Sequence, residues 1–174
     1  MSAQPQMTEM SLGRTIRTFR RGDETAFREL NEAWISRYFR IEDKDREVLN
    51  NPECKILDQG GQIFMALVDG EYAGCCGLIK MSDTTMEVAK MAVDERFQGH
   101  GLGRAILAAV IDYARQQKLH RLYLETNHVL AQAINLYKSM GFCPVPEDRL
   151  IPSPYRRADV FLELWLVPRW VECL

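Results

Sequence analysis

The sequence predicts an α+β fold, a mixed β-sheet flanked by helices, and three observations predict it. Short stretches at 15–19, 63–68, 72–80, 86–93, 122–126 and 158–166 read as strands, by apolar alternation or by a brief apolar run. Stretches near 23–38, 102–113 and 130–140 instead carry apolar residues at helical spacing. The two kinds interleave as βα-βββ-α-β-α-β, with three strands in succession, which suits a mixed rather than a wholly parallel sheet.

Each element has a local reason. Asp23 is placed to cap a helix whose face is Phe27, Leu30, Trp34 and Tyr38. The charge-dense run 41–57, broken at Asn50-Asn51-Pro52, reads as a short helix and a loop. Asp69-Gly70 between two apolar runs predicts a tight hairpin, because both central residues of a type I′ turn need positive φ. Strict alternation along 86–93 puts Glu87, Ala89, Met91 and Val93 on one face. Leu102, Ile106, Ala109, Val110 and Tyr113 stripe the next helix, and Gly141 is a natural left-handed terminator for the one after it. Prolines 146, 152 and 154 keep 145–154 in a loop.

Composition sets bounds. The chain has 174 residues, 47% of them hydrophobic, enough for a core without covalent staples. Residues 14–174 read as a single domain behind a flexible start at 1–13, which carries few apolar anchors. Lysine and arginine number 22 against 24 acidic residues, a balance that argues against electrostatic capture of nucleic acid or a membrane surface. The longest apolar run, Phe161 to Val167, is interrupted by Glu163 and falls far short of the roughly 18 residues of a membrane span. The start is polar and unlike a secretory signal. Cys54, Cys75, Cys76, Cys143 and Cys173 show no paired metal-ligand spacing, so no metal is expected. On a strand, Cys75 and Cys76 would face opposite ways and could not bridge each other. A cytoplasmic protein with reduced thiols is the expectation.

The chemistry concentrates in Gln98-Gly99-His100-Gly101-Leu102-Gly103-Arg104, between a strand and a helix. Glycines let a backbone approach a ligand, and the unbonded N–H groups of a helix start favour an anion such as a pyrophosphate. The dinucleotide fingerprint fails because Arg104 stands where its third glycine belongs, and no Gly-Lys-Ser/Thr ending makes a P-loop. A purely packing role for the glycines is the other reading.

Met91-Ala92-Val93 followed by Gln98-Gly99-His100-Gly101-Leu102-Gly103 resembles the Gln/Arg-x-x-Gly-x-Gly/Ala signature of the GNAT N-acetyltransferase superfamily. Ala133-Ile134-Asn135-Leu136-Tyr137 and Met140-Gly141-Phe142 resemble a second segment of that family. The resemblance spans residues 14–167 by element order and is specific over 86–142. It implies a GNAT-like fold and an acetyl-CoA-dependent transfer to an amine. Gln98 to Arg104 would cradle the pyrophosphate, while Met91, Ala92 and Val93 would bind the pantetheine arm through the main chain. Tyr137 matches the family's general acid, and Glu87 matches the strand acid that serves some members as base. Leu130 stands where many relatives carry an asparagine, and Asn127 is the residue that could replace it.

The residues themselves permit these roles without compelling them. An alkyl amine is mostly protonated near neutral pH, and a carboxylate near the reacting centre, acting directly or through water, would remove that proton before attack. Glu87 is the first candidate and Glu125 the second; a solvated strand-end acid is the plain alternative for Glu87. Tyr137 could protonate the departing thiolate, or could be a core tyrosine on the stripe Leu130, Ile134, Tyr137. Arg156 and Arg157 could bind an acidic group of the substrate. The expected acceptor is a small amine or amino-acid-like metabolite. A protein N-terminus or lysine is the alternative within the class, and a non-catalytic acyl-CoA-binding module is the alternative outside it. A homodimer built on Trp165 and Trp170 is also plausible on sequence.

Overall fold

The computed structural model of the chain describes residues 13–168. The expected flexible start up to residue 12, Trp170 and Cys173 lie outside the described residues. The strands are β1 (Arg14–Thr18), β2 (Gln62–Val68), β3 (Glu71–Lys80), β4 (Thr85–Val93), β5 (Arg121–Thr126), β6 (Cys143–Pro144) and β7 (Val160–Trp165). They form one sheet in the order β1-β2-β3-β4-β5-β7-β6, antiparallel throughout except for β4 with β5. The helices are α1 (Glu24–Tyr38), α2 (Asp43–Asn50), α3 (Leu102–Gln116) and α4 (Ala131–Ser139). The mixed sheet flanked by helices is as predicted.

Two apolar layers hold the sheet. On one face α3 packs Ile106, Leu107 and Val110 against Phe64, Cys76, Val88 and Leu122. On the other, Phe27 and Ile35 of α1 and Val48 and Leu49 of α2 cover Ile63, Met65, Cys75 and Ala92. Each buried Val, Leu, Ile, Phe or Met among them contributes about 1.5–3 kcal/mol by leaving water. Cys75 and Cys76 do point into opposite layers. Asp69 and Gly70 have φ of 50° and 85°, as a type I′ hairpin turn demands.

Local expectation fails at three places. Asp23 occupies the N-cap position of α1 but makes no side-chain cap bond. Its carboxylate instead accepts from Arg17 at 2.7 and 3.0 Å, the Arg20 N–H at 2.7 Å and the Tyr72 hydroxyl at 2.6 Å. A buried ion pair with three donor groups outcompetes one helix N–H, and these bonds, led by that to Arg17, hold Asp23 at about 2 against its burial. The two-residue strand β6 is too short, and too close to proline, to show any period.

The third failure shapes the molecule. Gly77 pairs with Ala89 and Cys75 with Ala92, so Cys76 opposes both Lys90 and Met91. This is a β-bulge, and Lys90 takes the positive φ of 52° that it needs. The extra residue reverses the parity, so Glu87, Ala89, Met91 and Val93 do not share a face. Ala92 packs on the α1 side, while Met91 and Val93 pack on the α3 side. β4 and β5 part company before the bulge is reached: they pair only between Thr85–Glu87 and Arg121–Tyr123. The upper half of β4 therefore presents a free edge toward β5.

Candidate active site

The divergence of β4 and β5 opens two connected spaces. A groove of about 710 Å³ runs over the glycine loop and the start of α3. A cavity of about 100 Å³ lies between α1, the two strands, α4 and residues 155–158. Trp34, Met91, Leu130, Ala133 and Tyr137 border both, and so mark their junction.

Met91, Ala92, Val93, Gln98, Gly99, Gly101, Leu102, Gly103 and Arg104 all line the groove. Gly99 and Gly101 have φ of 78° and 75°, and a Cβ on either would meet nothing within 4 Å. Packing therefore does not require glycine there; the left-handed backbone does, and it leaves open space above the loop. Gly103 differs, since its Cβ would lie 3.4 Å from Leu136, so it brings α3 close to α4. No side chain caps α3, and its first intrahelical bond runs from the Ala105 N–H to the Gly101 carbonyl at 3.1 Å. The preceding N–H groups and the helix dipole make this end of the groove attractive to an anion.

Two cofactor candidates sit elsewhere. His100 is exposed and does not line the groove. Asn127 borders the cavity, where its amide donates to the Arg157 carbonyl at 2.6 Å and its oxygen accepts from the Val129 N–H at 3.0 Å. Its side chain thus holds two loops together, three residues before Leu130.

Glu87 opens into the cavity and makes no hydrogen bond or ion pair among the described residues. Burial, reinforced by the charge of Glu125 and partly offset by Lys90, pushes its carboxyl up to about 7. Glu125 lines the same space, accepting from the Tyr123 hydroxyl at 3.2 Å and from Ser153. Tyr137 reaches the junction from α4. Its ring lies 5.9 Å from that of Phe142, its hydroxyl is 3.9 Å from the Met91 sulfur, and burial raises the phenol above its ordinary value. The Gly141 φ of 99° lets the Phe142 N–H return to the Tyr137 carbonyl at 3.1 Å, which fixes the end of α4.

A second cluster escaped sequence reading. Asp45 of α2 is wholly buried and holds Lys90 of the bulge and Arg157 of the loop before β7. Such a pairing joins residues 45, 90 and 157, and no spacing rule links positions so far apart. The charge density of 41–57 was its only visible trace.

The divergent strands, uncapped glycine loop and tyrosine-bearing helix are arranged as in the acyl-CoA N-acyltransferase fold. The chain belongs to the acetyltransferase (GNAT) family, whose profile matches residues 24–142. It is similar in structure to a GNAT family acetyltransferase from Staphylococcus aureus Mu50, with TM-score 0.81 and 23% identity over 89% of this chain and 100% of that one. It is likewise similar to a GNAT family acetyltransferase from Elizabethkingia anophelis solved with acetyl-CoA bound, with TM-score 0.67 and 21% identity over 88% and 98% of the two chains. At these identities the likeness is one of fold. In sequence it is 32% identical over 84 residues to N-acetylaspartate synthetase of Rattus norvegicus, covering 48% of this chain and 28% of that protein. N-acetyltransferase 8B of Homo sapiens is 26% identical over 88 residues, covering 48% and 39%. The match thus spans well under half the length of these relatives.

Proposed function

We propose that the protein transfers the acetyl group of acetyl-CoA to the primary amine of a small acceptor by direct attack, without an acyl-enzyme. One observation carries this reading: the anion-favouring groove and the Glu87-bearing cavity meet at Tyr137. The residues present fit acetyl-CoA. The open space above Gly99 and Gly101 and the uncapped start of α3 suit its pyrophosphate, and the free edge of β4 at Met91, Ala92 and Val93 suits its pantetheine amides. When bound, acetyl-CoA supplies an activated thioester.

Glu87 takes a proton from the acceptor ammonium, leaving a neutral nitrogen nucleophile. Tyr137 gives its phenolic proton to the departing sulfur as the C–S bond breaks and the C–N bond forms, and regains a proton from the acylated nitrogen, which sheds its second. The cavity of about 100 Å³ favours a small acceptor, since a cavity of roughly 150 Å³ holds one benzene. A protein tail would need an extended trough, and this space is walled by Trp34, Phe39 and Tyr155. We place the protein in the cytoplasm. The free thiols of Cys54, Cys75, Cys76 and Cys143 fit a reducing compartment, and no helix among the described residues is long and apolar enough to cross a membrane.

The first test is the thermal midpoint with acetyl-CoA, against NAD and ATP. At 100 times Kd, one bound ligand adds about 2.7 kcal/mol, a rise of roughly 5–11 °C for a domain of this size. A rise with acetyl-CoA alone supports the groove assignment, and no rise removes it. An amine screen followed by free thiol release then tests transfer. Binding without transfer to any amine would favour the non-catalytic module.

Gly101→Val should weaken acetyl-CoA by about ten-fold, because a β-branched residue resists the left-handed backbone and its methyls enter the groove. Calorimetric titration checks this, and an unchanged Kd would show that the loop does not approach the ligand.

A further inference from the structure

We propose that the acceptor is a small amine without a carboxylate, received as an ammonium between Glu87 and Glu125, and that Asp45 sets this preference by occupying the cations of the cavity. The inference rests on the cavity being the acceptor site and names the class of amine it takes.

Lys90 and Arg157 border the cavity, and either would bind a carboxylate if it were available. Asp45 engages both. The Arg157 guanidinium reaches it with two nitrogens at 2.7 and 2.8 Å, and the Lys90 ammonium lies 2.6 Å away. Glu42 accepts from the same guanidinium at 3.2 Å. Lys90 also donates to the Tyr155 hydroxyl at 2.9 Å, and both cations rest on the Tyr155 ring, at 4.5 and 4.6 Å from its centroid. Two cations are thus balanced by two carboxylates inside the wall.

What remains to face the acceptor is of one sign. Glu87 from β4 and Glu125 from β5 line the space with no cation paired to either among the described residues. The other elements around it contribute uncharged groups: Asn31 and Trp34 from α1, Phe39 beyond it, and Tyr137 from α4. An ammonium entering there meets complementary charge. An amino acid would bring a third carboxylate into a small space whose cations are already engaged.

The pair β-alaninamide and β-alanine differs by one negative charge and almost nothing in shape. Their binding to the protein saturated with CoA, measured by calorimetry, reads the preference without requiring turnover, so failure of acetyl transfer and failure of this inference are distinguishable. The amide should bind at least about ten-fold more tightly. Asp45→Asn frees Lys90 and Arg157 and should narrow or reverse that ratio. Glu125→Gln leaves the ion cluster whole and should narrow it too, so the inference does not depend on the folding of the Asp45 variant. Equal binding of the pair, tighter binding of β-alanine, or no saturable binding of either would overturn it.

Discussion

Glu87→Gln should lower kcat by about 10²- to 10⁴-fold at pH 7.5 while leaving the affinity for acetyl-CoA nearly intact. The proposed base is active only as a carboxylate, and its carboxyl is pushed up to about 7 by burial and by Glu125. The wild-type rate should therefore climb with pH up to about 7 and flatten above it, and the variant should lack that limb. The same shift acts on stability with a definite sign. A carboxyl raised in the folded state favours the protonated protein, so stability present below about 4.5 is lost as pH rises through about 7. Glutamine resembles the protonated form, so Glu87→Gln should be more stable than wild type at pH 8, by about 1–3 kcal/mol, and no more stable at pH 4. Denaturant titrations at the two pH values measure this. A variant with an intact rate and an unchanged pH profile would pass the proton to another group, with Glu125 the next candidate.

The sheet and the glycine loop were legible because their signals are local. Asp69-Gly70 announces a hairpin, and three glycines before an amphipathic stripe announce a strand-to-helix turn at Gly99 and Gly101. Gly141 and Phe142 announce the end of α4 in the same way. The failures share an opposite cause. The bulge at Lys90 and Met91 depends on what β3 places opposite them, so alternation along β4 alone put Met91 on the wrong face. Asp23 follows the N-cap rule in position, yet its oxygens go to Arg17 and to Tyr72, which is 49 residues away. Arg157 looked available for an acidic substrate because Asp45, which holds it, is 112 residues distant in the chain. Local rules count the bonds a side chain could make with its neighbours, and tertiary packing decides which of them it keeps.

Tyr137→Phe is expected to lower kcat by about 10²-fold, with the Kd for acetyl-CoA within about two-fold of wild type. The separation follows from the contacts. The tyrosine ring packs on Phe142, which phenylalanine preserves, while among the described residues the hydroxyl has only the distant Met91 sulfur as a partner at 3.9 Å. Removing it leaves no strong donor or acceptor unsatisfied, so stability should move by no more than about 0.5 kcal/mol. Burial holds the phenol above its ordinary value, so the proton stays in place across any working pH. A thiolate whose thiol has a pKa of about 8.5 is a weaker base than the phenolate, so the transfer runs forward only because the acylated nitrogen, which must shed its second proton, returns one to Tyr137 as the bond to carbon breaks. The loss should therefore fall on the chemical step, visible in a single-turnover measurement with saturating acetyl-CoA. An undiminished single-turnover rate would mean that water protonates the sulfur and that Tyr137 only walls the junction.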